Sequence, residues 1–178
     1  MKFLIGSDIH GSFKYASMFF KIADEVDPTK ILLLGDCYYN GARNDPPEEY
    51  APKKVVNLLN EHADKIIAVK GNCESEVDQM VSKFLFNDNA SLFVFGKVIS
   101  LAHGHHYSFD NLPEGKIDIF IQGHTHIGVL EKKGDIILAN PGSISLPKDD
   151  HHSYMIMDEG GISLIDLIDG TVLRRLDF

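Results

Sequence analysis

Three apolar runs in the first half of the chain each end at a glycine, and residues able to bind a metal ion follow closely. These residues are Asp8, His10, Asp36 and Asn72. Asp8 and His10 are two positions apart, so on an extended backbone their side chains face the same way and can chelate one ion. Taken alone, the pair also fits an aspartate that caps the next helix beside a surface histidine.

The second half contains two short histidine clusters, each just after an apolar run. They are His103-Gly104-His105-His106 and Gly123-His124-Thr125-His126, and they hold five of the nine histidines. Such grouping, together with two carboxylates and an amide, indicates a metal site rather than scattered surface histidines. Imidazole and carboxylate donors suit divalent ions such as manganese, iron, zinc or nickel, whereas calcium requires more oxygen ligands.

Seven side chains are the predicted metal ligands: Asp8, His10, Asp36, Asn72, His103, His124 and His126. They are too many for one ion and suffice for two ions only if one ligand is shared. Asp36 is the natural bridge, because a carboxylate can bind one ion through each oxygen. Two ions about 3.5 to 4 Å apart acidify a shared water and clamp a phosphoryl group. The sequence therefore predicts a phosphoester hydrolase whose attacking hydroxide bridges the ions, although spacing alone does not divide the histidines between them.

Alternating strands and helices must position the first four of these ligands. Short apolar runs at 2–5, 31–34 and 66–69 indicate buried strands, and residues 12–27 and a segment from Pro52 have helical periodicity. Strands separated by helices imply a parallel sheet with right-handed crossovers. The carboxyl ends of such strands lie at one edge, which is where open α/β sheets bind ligands.

The second half is dominated by strand patterns. Residues 91–95, 98–102, 117–121 and 128–131 alternate or are apolar, and hairpin turns are predicted at 132–135, 158–161 and 169–170. This pattern predicts that the tail forms an antiparallel meander. The predicted fold is an α/β (α+β) single domain over 1–178, in which the two halves form two facing mixed β-sheets flanked by helices.

Composition excludes several classes of protein. The chain has 178 residues and a net charge of −9, which disfavours binding to extended nucleic acid because that binding depends on cationic groups. No apolar run approaches the roughly 18 residues of a membrane helix, so no membrane partner is expected. The N-terminal apolar stretch breaks at Asp8, too early for a signal peptide. A cytoplasmic protein without a disulfide between Cys37 and Cys73 is the expectation.

The ordered motifs Asp8-Ile9-His10, Gly35-Asp36, Gly71-Asn72, His103-Gly104-His105 and Gly123-His124-Thr125-His126 together resemble those of the calcineurin-like metallophosphoesterases. Segments 43–44, 50–52, 71–80 and 140–143 are similar to small bacterial phosphodiesterases of that superfamily, which extends the resemblance over nearly the whole chain.

The resemblance implies a four-layer sandwich of two sheets with outer helices, two manganese-type ions and hydrolysis of a small phosphodiester. It also implies that His126 completes the ion site of Asp8 and His10, while His103 and His124 complete that of Asn72. Relatives of this kind are often oligomeric, so a homo-oligomer is an expectation.

Catalytic roles are assigned to Asp36, Asn72, His10 and His105. In the wider superfamily the residue after the ligand asparagine is commonly a histidine that protonates the leaving group, and here it is Cys73, which we expect to pack instead. A water, His10 or His105 remain as proton donors. His105 also fits two further roles, either as a contact of the phosphate or as a partner of a ligand histidine.

Arg43 is the one cation in the loop after Asp36, and its guanidinium suits phosphate oxygens, although a solvated loop arginine fits equally. Asn44 shares the loop and is a predicted substrate contact or a turn residue. Two other functions use the same residues: a phosphomonoesterase, and a metal-binding scaffold without catalysis.

Overall fold

The first half of the chain folds as alternating strands and helices, as the periodicity predicts. The computed structural model describes all 178 residues. The elements of this half are β1 (Lys2–Gly6), α1 (Phe13–Val26), β2 (Lys30–Leu33), α2 (Pro52–Glu61), β3 (Ile66–Val69), α3 (Glu76–Val81) and β4 (Phe86–Asn87). Strands β1 to β4 pair in parallel, in chain order. The carboxyl ends of these strands therefore lie along one edge.

The second half contains only strands and loops. They are β5 (Ala90–Val94), β6 (Lys97–Leu101), β7 (Ile119–Ile121), β8 (Gly128–Lys133), β9 (Ile136–Pro141), β10 (Ser153–Asp158), β11 (Gly161–Asp166) and β12 (Val172–Asp177). A seven-stranded sheet has the order β12-β11-β10-β1-β2-β3-β4, and a five-stranded sheet has the order β5-β6-β7-β9-β8. Both sheets are mixed, as predicted.

The division of the chain between the sheets differs from the prediction that each half forms one sheet. The tail strands β10, β11 and β12 join the first sheet, where β10 pairs antiparallel with β1 in the register Lys2 to Asp158. The hairpin turns were predicted correctly, but hairpin periodicity does not say which sheet edge a hairpin extends. Strand β1 leaves one edge free, and the tail occupies it.

One apolar core lies between the two sheets. Ile5 and Leu34 from the first sheet pack with Ile99, Ile121 and Ala139 from the second, and all five are buried. Helices α1 and α2 cover the other face of the first sheet through a second apolar cluster. On the outer face of the second sheet, loop residues between β6 and β7 cover Phe120. The fold class is thus confirmed: two mixed sheets, with helices flanking the sandwich.

The first helix is capped by Ser12, whose Oγ accepts a hydrogen bond from the backbone N–H of Tyr15. Asp8 is therefore not the cap, and the alternative interpretation of the Asp8 and His10 pair is removed. None of the three helices combines the length and the apolar character needed to span a membrane.

Candidate metal centre and active site

All seven predicted ligands lie in loops that follow β1, β2, β3, β6 or β7, where the carboxyl ends of strands in both sheets meet. Five of them have a left-handed backbone: Asp8, His10, Asp36, His124 and His126, with φ of 56°, 48°, 55°, 69° and 62°. Only nine non-glycine residues in the chain have positive φ. A left-handed conformation costs about 1–2 kcal/mol for an ordinary residue. The strain is therefore concentrated on the residues that aim side chains into the site.

The first cluster is formed by Asp8, His10 and His126. Asp8 Oδ1 lies 3.2 Å from His126 Nε2 and 3.5 Å from His10 Nε2, and the two Nε2 atoms are 3.1 Å apart. The other oxygen of Asp8, Oδ2, accepts hydrogen bonds from Ser7 Oγ and from the backbone N–H of His124. Asp8 Oδ1 is buried and has no hydrogen-bond donor, so it is free to bind a cation.

The second cluster is formed by Asp36, Asn72, His103 and His124. His103 Nε2 lies 3.1 Å from Asn72 Oδ1, 3.2 Å from His124 Nδ1 and 3.5 Å from Asp36 Oδ2. The histidines thus fall into two groups: His10 and His126 lie beside Asp8, and His103 and His124 lie beside Asn72.

Asp36 stands between the two clusters. Its Oδ2 atom lies 3.8 Å from His10 Nε2 and 3.5 Å from His103 Nε2, whereas Oδ1 accepts a hydrogen bond from the backbone N–H of Cys73 at 2.9 Å. The expectation that each oxygen serves a separate ion is therefore not what the geometry favours. One oxygen, Oδ2, faces both clusters, because the backbone of Cys73 occupies the other.

The ring nitrogens show that the donor set fits cations. Nδ1 of His10, His103 and His126 each lies 2.6 to 2.7 Å from a backbone carbonyl oxygen, which can only accept a hydrogen bond. A neutral imidazole has one N–H, so Nε2 of each ring must present its lone pair to the site. Lone pairs 3.1 Å apart, as at His10 and His126, repel each other unless positive charge lies between them.

The pKa shifts of His103 and Asp8 also indicate that the site favours positive charge. Burial alone would lower the pKa of His103, but its contacts with the carboxylates of Asp36 and Asp8 outweigh burial and raise that pKa to about 9. Burial opposes ionisation of Asp8, yet the neighbouring imidazoles of His10 and His126 hold its pKa well below the usual value. The cluster thus attracts positive charge, which divalent ions would provide at neutral pH.

Glu74 is a buried carboxylate in this region that the sequence analysis did not single out. Its two oxygens accept hydrogen bonds from the backbone N–H groups of Asp36, Cys37 and Gly71, at 2.9, 2.6 and 2.5 Å. Burial and the charge of Asp36 raise the pKa of Glu74 to about 7 despite these donors. Glu74 thereby ties the loop that carries Asp36 to the loop that carries Asn72.

Gly71 lies in the tightest part of this connection. A Cβ atom at Gly71 would lie 2.0 Å from Asp36 Oδ1 and 2.7 Å from Glu74 Oε2. Only glycine allows the two loops to approach this closely. The glycine that follows β3 was the signal in the sequence, and it marks a close approach of two loops as well as the end of a strand.

The clusters open into a cavity of about 720 Å³, and both predicted substrate residues line it. Arg43 is exposed and makes no ion pair, so its guanidinium is available to an anion. Asn44 donates from Nδ2 to the backbone oxygen of Asn40, and Asn40 donates in the same way to Asn44. The Asn44 amide thus orders the loop that carries Arg43. The wall also includes Tyr39, Thr125 and Lys148, which no sequence pattern singled out.

His105 lies outside this cavity. It lines a smaller cavity with Lys70 and Asp88, and its ring packs edge-on against His103 at a centroid distance of 5.3 Å. Burial and the neighbouring imidazoles lower the pKa of His105 to about 4, so it is neutral at pH 7. This position fits a partner of a ligand histidine better than a donor of protons.

The two cysteines occupy different environments. Cys37 is buried in the core, as predicted for a packing residue. Cys73 is half-buried and lines the main cavity, and burial and the carboxylate of Asp36 raise the pKa of its thiol to about 12. Cys73 therefore lies on the cavity wall, with its Sγ near His10 and Asp36, and is not a core residue.

A fold of two mixed sheets, with carboxylates, an amide and imidazoles gathered at strand ends, defines a metallophosphoesterase. The family model for the calcineurin-like phosphoesterase superfamily domain matches residues 1–160. The chain belongs to this superfamily, which confirms the family resemblance and the expectation of a phosphoesterase enzyme.

The chain is 39% identical over 179 residues to phosphodiesterase YfcE of Escherichia coli K12, covering 99% of this chain and 97% of that protein. The solved structure of that E. coli phosphoesterase superposes with a TM-score of 0.96 at 38% identity, with 99% of each chain covered. Vps29 of Entamoeba histolytica shares the fold, with a TM-score of 0.65 at 23% identity over 100% of this chain and 99% of its own.

Proposed function

We propose that the protein is a phosphodiesterase that cleaves small phosphodiesters with two divalent metal ions bridged by Asp36. The observation that carries this proposal is the position of Asp36 Oδ2, 3.8 Å from His10 Nε2 and 3.5 Å from His103 Nε2. One carboxylate oxygen between two groups of lone pairs is the arrangement that a two-ion site requires. Two such ions supply an acidified water and the positive charge that stabilises a transferring phosphoryl group.

The residues divide into two ligand sets under this proposal. Asp8, His10 and His126 hold one ion, Asn72, His103 and His124 hold the other, and Asp36 is shared. Carbonyl oxygens fix the ligand rings of His10, His103 and His126 by accepting from Nδ1, which sets both their orientation and their tautomer. Manganese is the proposed metal, because imidazole and carboxylate donors suit it and the two ligand sets contain no cysteine.

Arg43 is the proposed contact of a non-bridging phosphate oxygen, because it is an unpaired guanidinium on the cavity wall. Neither histidine that the sequence offered as a proton donor is placed to protonate a leaving group. His10 uses both ring nitrogens within the site, and His105 has a pKa of about 4 and lies outside the main cavity. A water is therefore the proposed proton donor, and diesters with good leaving groups are the preferred substrates.

A diester is proposed rather than a monoester because the relative at 39% identity is named a phosphodiesterase. The scaffold alternative has no specific support, since all seven predicted ligands are present and lie together. The proposed compartment is the cytoplasm, where both free cysteines would stay reduced.

The test is hydrolysis of bis(4-nitrophenyl) phosphate and 4-nitrophenyl phosphate by metal-stripped protein with manganese, zinc, iron, nickel, magnesium or no metal added. The proposal expects diester turnover only with added metal, and little monoester turnover. His10→Ala is expected to lose this activity, whereas the matched variant His151→Ala, which changes an exposed histidine outside the cavity, keeps it. Tight metal binding without turnover of either ester would overturn the proposal in favour of a scaffold.

A further inference from the structure

One part of the cavity wall has no role in the proposed cleavage. The cavity is in the size range of sites for whole small-molecule ligands. A phosphoryl group between the two ligand clusters would fill only a fraction of it. The remainder must receive the organic arms of the diester, and Tyr39 and Lys148 line it.

Tyr39 is an aromatic side chain without a partner. Its side chain is exposed, at 47% of the full area, and its ring and hydroxyl contact no other aromatic ring or hydrogen-bond partner. The backbone is nevertheless fixed, because the carbonyl oxygen of Tyr39 accepts the hydrogen bond from His10 Nδ1 at 2.7 Å. The ring is thus an open stacking surface held next to a metal ligand.

Lys148 is fixed in the same way to another ligand of the same ion. Its backbone N–H donates to the carbonyl oxygen of His126 at 2.9 Å, and His126 Nδ1 lies 2.6 Å from the carbonyl oxygen of Leu146. No carboxylate lies within ion-pair distance of the Lys148 ammonium, whereas Lys14, for example, is paired with Glu48. In a chain with a net charge of −9, an unpaired lysine on the wall of this cavity favours an anionic ligand group.

The two side chains are tied through their backbones to the same ligand cluster. Tyr39 accepts from His10 and Lys148 donates to His126, and the Nε2 atoms of these two histidines are 3.1 Å apart. Arg43 lies further along the loop that carries Tyr39 and lines the same cavity. Arg43 can therefore hold the phosphoryl oxygens while Tyr39 and Lys148 receive an arm.

We propose that Tyr39 and Lys148 form a subsite that binds one arm of the diester, an arm with a planar ring and a further anionic group. This is the chemistry of a nucleotide: the base stacks on the Tyr39 ring and a second phosphate lies at the Lys148 ammonium. The proposal rests on the proposed function, because it assigns the substrate class of the same cavity.

The experiment uses three esters with the same 4-nitrophenolate leaving group and different second arms. They are methyl 4-nitrophenyl phosphate, the 4-nitrophenyl ester of thymidine 5′-phosphate, and the same nucleoside ester with a 3′-phosphate. We expect kcat/KM of the manganese-loaded protein to rise in that order, by about tenfold at each step, through KM.

Three variants assign the steps to residues. Tyr39→Ala should remove the preference for the nucleoside over the methyl ester, and Tyr39→Phe, which keeps the ring, should restore it. Lys148→Met should remove only the preference for the 3′-phosphate. Lys133→Met, a matched change of an exposed lysine on the β8–β9 hairpin, should change neither ratio. Equal kcat/KM for the three esters, or equal loss for all three in the variants, would overturn the subsite.

A binding measurement separates this proposal from the proposed function. Thymidine 3′,5′-bisphosphate, thymidine 5′-phosphate and methyl phosphate are titrated into the manganese-loaded protein in a calorimeter. If no ester is cleaved, the proposed function fails, but the subsite still predicts the tightest binding for the bisphosphate and a loss of that advantage in Lys148→Met. Equal affinity for the three ligands would reject the subsite whether or not the esters are cleaved.

Discussion

Asp8 at the candidate metal centre and Asp166 at the end of β11 are both buried aspartates, but their carboxylates differ in how many hydrogen bonds they accept. Asp166 accepts hydrogen bonds from the backbone N–H groups of Ile168 and Asp169, and its Oδ2 lies 2.8 Å from His151 Nδ1. Asp8 has one oxygen without any donor. Both oxygens of Asp166 therefore accept hydrogen bonds, whereas Asp8 Oδ1 accepts none and can bind a cation.

The backbone follows the same division. In the β11–β12 turn the left-handed conformation falls on Gly170, at φ 76°, where it costs little. At the metal centre it falls on aspartates and histidines. A turn that only connects strands has no need of strain, and a site that must aim several side chains at one point accepts it. The two regions therefore predict opposite responses to mutation.

The largest effect is expected at the shared ligand. Asp36→Ala should remove the bridge between the clusters and lower kcat/KM for an aryl diester by about a thousandfold or more, because the charge stabilisation supplied by two ions is lost. Manganese stoichiometry should fall as well. Asp27→Ala, at an exposed aspartate that is also left-handed, is the matched control and should keep both. Metal-dependent turnover retained in Asp36→Ala would contradict the bridging role.

The next effect tests the support of the site. Glu74→Gln keeps the volume of the side chain but presents an NH2 group to backbone N–H donors of Asp36, Cys37 or Gly71. We expect manganese affinity, measured by calorimetry, to fall about 10- to 100-fold. Glu76→Gln, an exposed glutamate on α3, is the control. Unchanged affinity in Glu74→Gln would show that the two loops hold their positions without this connection.

Backbone strain at the site can be measured with two variants of one residue. His124→Ala and His124→Gly both remove the imidazole, and they differ only in how well they tolerate φ 69°. The glycine variant should be more stable than the alanine variant by about 1 kcal/mol in the metal-free protein. Denaturant unfolding of both variants measures the difference, and equal stability would mean that this backbone is not strained.

In the β11–β12 turn, we expect a substitution to lower stability without changing activity. Gly170→Ala places a methyl group where no atom lies within 4 Å, so the only cost is the left-handed backbone at φ 76°. The free energy of unfolding should fall by about 1 kcal/mol. Diester turnover should be unchanged, because the turn lies outside the cavity. A loss of turnover in Gly170→Ala at full metal occupancy would show that the turn affects the active site and would contradict this prediction.

The smallest effect concerns the pair of His151 and Asp166 and depends on pH. The hydrogen bond that His151 donates to the Asp166 carboxylate raises the pKa of His151 above its ordinary 6.5. Although burial opposes ionisation of Asp166, the bonds from His151 and Ile168 lower its pKa below 3.8. The aspartate contributes stability above pH 4 and the histidine contributes below pH 6.5, and the histidine's share is lost as pH rises through its raised pKa.

Asp166→Asn keeps the backbone hydrogen bonds and removes the charge. It should therefore lower the Tm by roughly 2 °C at pH 5.5 and by less at pH 9, since exposed ion pairs contribute little. Thermal unfolding at the two pH values measures this difference. An equal loss at both would show that the charge of the pair plays no part.

The sequence predicted the ligands of the site better than their support. Asp8, Asp36 and Asn72 each follow a strand within three residues, and carboxylate and amide side chains are recognisable as possible metal ligands from residue type alone. Glu74 acts by accepting from backbone groups of residues up to 38 positions away, and no residue pattern encodes such contacts. Lys148 reaches the cavity only because its backbone is tied to His126.

For the fold, too, the sequence predicted local features better than contacts between distant residues. Periodicity located the strands, helices and hairpin turns, which depend on neighbouring residues. It did not reveal that β10 pairs with β1, because that choice depends on which sheet edge is free when the chain collapses. The short helix α3 and the two-residue strand β4 were also missed, since segments so short carry no measurable period.

The two-ion site is tested most directly by a crystal structure of the protein grown with manganese, with the ions located by anomalous scattering. We expect two peaks about 3.5 to 4 Å apart, with Asp36 Oδ2 bonded to both, Asp8 at one and Asn72 at the other. A single peak at full occupancy, or two peaks that Asp36 does not bridge, would contradict it.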